Sequence, residues 1–205
     1  MPTSTAPQLP KGWPPGLPYL IQPTYSLSLT PSTLQRLRTH PPNTPILSSK
    51  LLGPSPLVRI RPIASPAHPA NGQYGLFAAR DLPPDSFVLL YVGHVHGAED
   101  ADARSDYDLC LDGEMGVGVD AARGGNEARF VNDYRGIEDG GPNAEFREVW
   151  VERGQGTGKV VEKGMGVFVL SAGKSGRRAK GIVKGKEILK QLNSDSSGGG
   201  AALAD

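Results

Sequence analysis

From Leu57 onward the apolar positions fall in short runs: LVRIRPI, YGLFAA, SFVLLYV, DYDLCL, GVGV, AEFREVWV and MGVFVLS, separated by Gly, Pro or Asp. Some alternate apolar with polar residues, as a strand with one wet face does; others are continuous, as a strand covered on both faces is. Val, Ile, Phe and Tyr dominate them, and no long 3.6-residue repeat intervenes. The pattern predicts many short strands in several small sheets with little helix, an α+β chain that is predominantly β.

The flanks read differently. Residues 1–56 scatter Pro, Ser and Thr densely and offer only the LQRLR patch as a short helical turn. Such a segment buries too little apolar surface to offset its ordering entropy, so a largely disordered extension is expected. Trp13, Tyr19 and Tyr25 are its exceptions, able to dock on the domain or on a partner. The ending SDSSGGGAALAD is low in complexity and reads as a flexible tail. The expected division is an extension over 1–56, one domain over 57–192 and a tail over 193–205.

Composition narrows the classes. The 205 residues suit about one domain with tails, and 19 Pro with 27 Gly favour turns over long helices. A net charge of +1 gives no global pull toward nucleic acid or anionic lipid, so nucleic-acid contact is not expected. The single cysteine, Cys110, forms no disulfide framework or cysteine-built zinc cluster and fits a reducing compartment, nucleus or cytoplasm. No run reaches the ~18–20 apolar residues of a membrane span.

Several motifs carry less than they suggest. The P-loop reading of GQGTGKV fails because Arg153 stands where the first Gly is needed and Val160 where Ser or Thr is needed; GKS at 173–175 has Phe168 in place of its upstream Gly. Both read as hairpin loops. His94 and His96, followed by Glu99, Asp100 and Asp102, invite a metal reading, but loop acids and surface histidines are the commoner case, and no metal is assigned. Lys174, Arg177, Arg178, Lys180, Lys184 and Lys186 read as a solvated hairpin rather than an acidic-partner site.

Four segments hold the candidate chemistry. In NGQYGLFAARDLPPDSFVLLYVGHV, Gly72, Gln73, Tyr74 and Gly75 lead into a strand, and glycine there lets backbone approach a ligand closely; a plain hairpin turn explains the same residues. In SDYDLCL, Tyr107 lies on a strand, either as a half-buried core residue or as a ring that packs on an aliphatic stem with its hydroxyl near an amine. GVGVDAARGGNEARFVNDYRG places Asn126, Arg129, Phe130, Asn132 and Asp133 on a turn and a short strand. MGVFVLSAGKSGRRAKGIVKGKEILKQL ends on a strand after Gly185 and Glu187.

In this order the segments resemble the SET domain, the fold of most protein-lysine methyltransferases. Gly72 to Gly75 resembles its opening Gly-x-Gly-aromatic-Gly turn with Gln73 in a glycine's place, and Tyr91-Val92-Gly93 its Tyr-x-Gly. Asn126 to Asn132 resembles its Asn-x-Ala-Arg-Phe-Ile-Asn-His run, with Asp133 in place of the histidine. Pro142-Asn143 stands for its Pro-Asn, delayed by IEDGG, and Gly185, Glu187 and Ile188 match its final segment. Leu192 sits where the family carries a terminal tyrosine.

The resemblance implies small sheets around a threaded, knot-like segment. It implies S-adenosyl-L-methionine as cofactor, held by Gly72, Gln73, Tyr74, Arg129, Phe130, Asn132 and Asp133. It places Tyr107 and Tyr91 by a substrate lysine whose neutral amine a dry channel favours. The implied partner is a protein lysine, in a histone or another protein. Two functions stay open: a protein-lysine methyltransferase, or a SET-like module that binds cofactor or peptide without turnover, to which the missing tyrosine and the absence of a cysteine-rich zinc segment point.

Overall fold

The computed structural model describes residues 9–48, 53–154, 158–173 and 178–191. The chain forms β1 (Thr24–Tyr25), helix α1 (Pro31–Leu37), β2 (Ile46–Leu47), β3 (Val58–Pro62), β4 (Tyr74–Ala78), β5 (Phe87–Tyr91) and β6 (His94–His96). There follow β7 (Asp108–Asp112), β8 (Val117–Asp120), a 3-10 turn at Glu127–Phe130, β9 (Asn132–Asp133), β10 (Ala144–Arg153), β11 (Val160–Val169) and β12 (Leu189–Lys190). Each apolar run of the sequence overlaps one of these strands. Four small sheets result, ordered β1-β6-β8-β7, β2-β10-β11-β5, β9-β12 and β3-β4.

The continuous run SFVLLYV has a direct cause. On β5, Leu89 and Tyr91 face the main core with Leu76, Val117 and Val167, while Leu90 and, just past the strand, Val92 belong to a second cluster with Val149 and Val151. A strand covered on both faces needs apolar residues at every position. β10 and β11 pair over their full length from Ala144↔Val169 to Arg153↔Val160, so GQGTGKV lies in the hairpin connection, with residues 155–157 outside the described residues.

The extension departs from expectation. Residues 9–48, read from sequence as largely unfolded, are packed on the domain. β1 pairs in parallel with β6 through Thr24↔His94 and Tyr25↔Val95, β2 with β10 through Trp150↔Ile46, and Tyr19 bridges Gly125. Thr30 caps α1 by accepting the Thr33 N–H, Pro31 sits in its first turn, and Leu37 reaches the main core beside Leu29. Short sheets leave unpaired edges, and the extension supplies the missing partners. Its aromatic residues add the apolar area that composition alone understated. The Trp13 ring lies 4.9 Å from that of Tyr19 and 5.5 Å from that of Phe130.

This docking closes over a buried charge. Glu127 is 1% exposed, and its carboxylate accepts from the Ser55 N–H at 2.8 Å and the Tyr19 hydroxyl at 3.0 Å. Burial pushes its pKa up, only partly opposed by those donors. Burial and the neighbouring Glu127 charge likewise push the Tyr19 phenol up, so it stays a donor.

At the other end, the chain from Glu187 to Lys190 is held on two sides. β12 pairs in parallel with β9 through Leu189↔Asn132 and Lys190↔Asp133, and the Tyr134 N–H donates to the Lys190 carbonyl. Opposite, the Asn143 N–H donates to the Leu189 carbonyl at 3.0 Å, and the Asn143 side chain accepts from the Leu189 N–H and donates to the Glu187 carbonyl. The C-terminal segment thus lies between two parts of the chain joined by residues 134–142, as a threaded segment does.

Two predictions follow from the docked extension. Tyr19→Phe removes one donor from a buried carboxylate and should cost about 2 kcal/mol in urea denaturation; a change within error would show that the extension is not held through Glu127. Because the Glu127 pKa is raised on folding, its stabilising contribution is full below the ordinary value of 4.5 and is lost as pH rises through the raised one. Glu127→Gln should remove that loss of stability with rising pH from a profile of melting temperature against pH; superimposable profiles would contradict it.

Candidate cofactor and amine site

The site is built where the β3–β4 hairpin, the 3-10 turn, β9 and β12 meet. Gly72, with φ +83°, makes the turn: its N–H donates to the Ile63 carbonyl, and Ile63 N–H donates back to Gln73. This presents Gln73 beside β9. The Tyr74 carbonyl accepts from Asn132 Nδ2 at 3.3 Å, and the Tyr74 ring lies 5.8 Å from that of Phe130. Asn126, which opens the 3-10 turn, is buried. It accepts from the Val92 N–H at 3.1 Å and donates to the Leu90 carbonyl at 2.7 Å, fixing the turn against β5.

Glu187 ties these parts together. Its carboxylate accepts from Asn132 Nδ2 at 2.8 Å and lies 3.1 Å from His68 Nε2, while its backbone bridges Phe77 on β4. Gly75 stands so close that a Cβ there would lie 2.5 Å from Glu187 Oε1, which explains why the opening turn ends in glycine.

Gln73, Tyr91, Tyr107, Arg129, Asn132 and Asp133 all line one cavity of about 310 Å³. Gly72, Tyr74 and Phe130 do not line it: Gly72 shapes the turn, and Tyr74 and Phe130 pack behind it. Tyr107 lies immediately before β7 rather than on it, half-buried, with the Arg129 guanidinium 4.1 Å from its ring centre. Arg129 Nε donates to the Ala121 carbonyl at 2.9 Å, which holds that stack in place. Tyr91 is buried and donates its hydroxyl to the Tyr107 carbonyl; burial, then the Asp120 charge, push its pKa up, so it remains a phenol. Asp133 is paired with Arg135 at 2.7 and 3.1 Å.

Sequence reasoning passed over Phe146 and Lys190, which line the same cavity. Lys190 is 6% exposed and sits 4.5 Å from the Phe146 ring centre, and that ring packs edge to face with Tyr91 at 5.4 Å. Burial pushes the Lys190 amine down to about 8, with Asp133 opposing. A lysine between the apolar residues of ILKQL was the available signal, because a charge at a buried strand position needs a local partner. Leu192 lies outside the described residues. Tyr134 is half-buried in its turn and does not line the cavity.

The remaining candidates resolve locally. His96 is buried with Nε2 3.0 Å from Asp108 and Nδ1 on the Gly97 carbonyl, while His94 is exposed beside Thr24. Among the described residues no group of three or more His, Cys, Asp or Glu side chains is placed to hold a metal, and no helix is long and apolar enough to cross a membrane. In the basic stretch Lys186 pairs with Glu138, and Lys174 and Arg177 lie outside the described residues.

No protein-family model and no curated protein matches the chain. Among solved structures it is similar to the Chaetomium thermophilum polycomb repressive complex 2, at 23% identity over 67% of this chain and 15% of that chain, with a TM-score of 0.47. An autoinhibited form of that complex bound to S-adenosylmethionine matches at 23% identity over 64% of this chain and 15% of that one, TM-score 0.45. An active form in the basal state matches at 25% identity over 58% and 13%, TM-score 0.40. The chain thus spans about 15% of the length of the first of these.

The Gly75–Glu187 contact yields a coupled prediction. Gly75→Ala must displace Glu187 from Asn132 and His68 and should cost about 1–3 kcal/mol. In a Glu187→Ala background the closest contact is gone and only Phe77 Cε2 at 3.0 Å still crowds the new methyl, so the same substitution should cost markedly less. Additive costs in urea denaturation would refute the contact.

Proposed function

We propose that the chain is a SET-like, S-adenosylmethionine-dependent protein-lysine methyltransferase. The observation that carries this reading is the convergence of two distant stretches, Gln73 on one and Arg129, Asn132 and Asp133 on the other, on one cavity with Tyr91 and Tyr107. The fit is chemical. The cavity is within the size range of small-ligand sites, and a sulfonium nucleoside carrying its own carboxylate meets amide donors and acceptors, the Asp133 carboxylate, tyrosine rings and the Arg129 and Arg135 cations there. Gln73, Asn132 and Asp133 would hold the cofactor, which when bound supplies an electrophilic methyl group. Tyr91 and Tyr107 would flank the amine. Their rings exclude water, and exclusion of water favours the uncharged amine that the reaction needs. A histone or other protein lysine is the proposed partner class.

A second reading is a module that binds without turnover. Lys190 favours it, because a lysine of the chain itself already occupies the aromatic part of the cavity.

Isothermal titration of the full chain with S-adenosylmethionine, paired with methyl transfer to mixed histones, tests both. Binding with transfer supports the enzyme, binding without transfer the module, and no binding sinks both. Gln73→Trp, at an exposed position on the cavity, should weaken cofactor binding about tenfold or more, equivalent to about 1.4 kcal/mol.

A further inference from the structure

Lys190 is the one amine among the described residues that lines this cavity. Its backbone is fixed in β12, and its register partner on β9 is Asp133, so the two side chains leave the same face of the sheet. Its ammonium end lies over Phe146, whose ring edge meets Tyr91. Aromatic faces around an amine suit both lysine and its methylated forms, since cation–π attraction persists when N–H is replaced by N–CH₃.

An incoming peptide lysine would have to share this space with a second amine. Lys190 is already there and has no association entropy to lose, which is the advantage of an intramolecular reactant. Asp133, which stands where the SET pattern has histidine, is the register neighbour of Lys190 and of opposite charge. Asp133, which also pairs with Arg135, places a negative charge near this amine.

We propose that Lys190 is the chain's own methyl acceptor. The proposal rests on the methyl-donor reading of the cavity. The neutral Lys190 Nζ uses its lone pair to attack the methyl carbon of S-adenosylmethionine. The N–C bond forms as the C–S bond breaks, and that electron pair stays on sulfur to give the neutral thioether. The methylated ammonium returns a proton to water before a further round.

Incubation of the full chain with S-adenosylmethionine should add methyl mass to the tryptic peptide containing Lys190, at a fractional rate independent of protein concentration. The rate should rise about tenfold per pH unit below about 8 and level above it, since burial has brought this amine's pKa to that value. Lys190→Arg keeps a cation over Phe146 but offers no comparable nucleophile and should lose the label, its melting curve confirming that it folds. A readout that needs no turnover is acetic anhydride footprinting: S-adenosylhomocysteine should shield Lys190 from acylation. Failure to bind S-adenosylmethionine in titration overturns this proposal together with the donor reading. Binding with Lys190 unmethylated, or with label kept in Lys190→Arg, overturns this proposal alone.

Discussion

The hydrogen bonds that seat residues 187–190 between β9 and Asn143 are the constraint on which the rest depends. Two-residue strands cannot stand alone; their stability comes from what covers them. β12 has β9 on one flank and Asn143 on the other, and Ile188 and Leu189 are buried beneath. Glu187 then reaches Asn132 and His68 from the same segment. Loss of any one of these contacts loosens the hairpin turn, β9 and the cavity together.

A recurrent solution to the edge problem of small sheets is the use of asparagine as a substitute strand. Asn126 supplies an acceptor and a donor to β5 at Val92 and Leu90, and Asn143 does the same for Leu189 and Glu187. An amide side chain carries the same paired donor and acceptor as a peptide unit, so it can satisfy buried backbone where no further strand fits. Asn132 extends the scheme by joining the Tyr74 carbonyl to the Glu187 carboxylate.

Much of the fold was legible because burial leaves a mark on sequence. SFVLLYV is apolar because β5, although at the edge of its sheet, is covered on both faces, MGVFVLS because β11 lies between β10 and β5, and the Gly and Pro between runs fall in connections. The extension was misjudged because composition measures average polarity, whereas Tyr19, Leu29 and Leu37 are few but fully used. Of the residues the sequence singled out, Gln73, Tyr91, Tyr107, Arg129, Asn132 and Asp133 meet at one cavity, whereas Gly72, Tyr74 and Phe130 lie outside its lining. Phe146 escaped because an aromatic on a strand reads as core, and Lys190 because its place in an apolar run flags burial but not a neighbour; the pairing of β12 with β9 sets that amine beside Asp133.

The seating of β12 also has a kinetic consequence. Its partners lie about fifty residues upstream, at Asn132 and Asn143, and its neighbour β4 lies more than a hundred upstream. Contacts so distant along the chain form late and slowly. During synthesis the cavity therefore lacks Lys190, and the Leu76 carbonyl lacks its Ile188 donor, until residues 187–190 have left the ribosome.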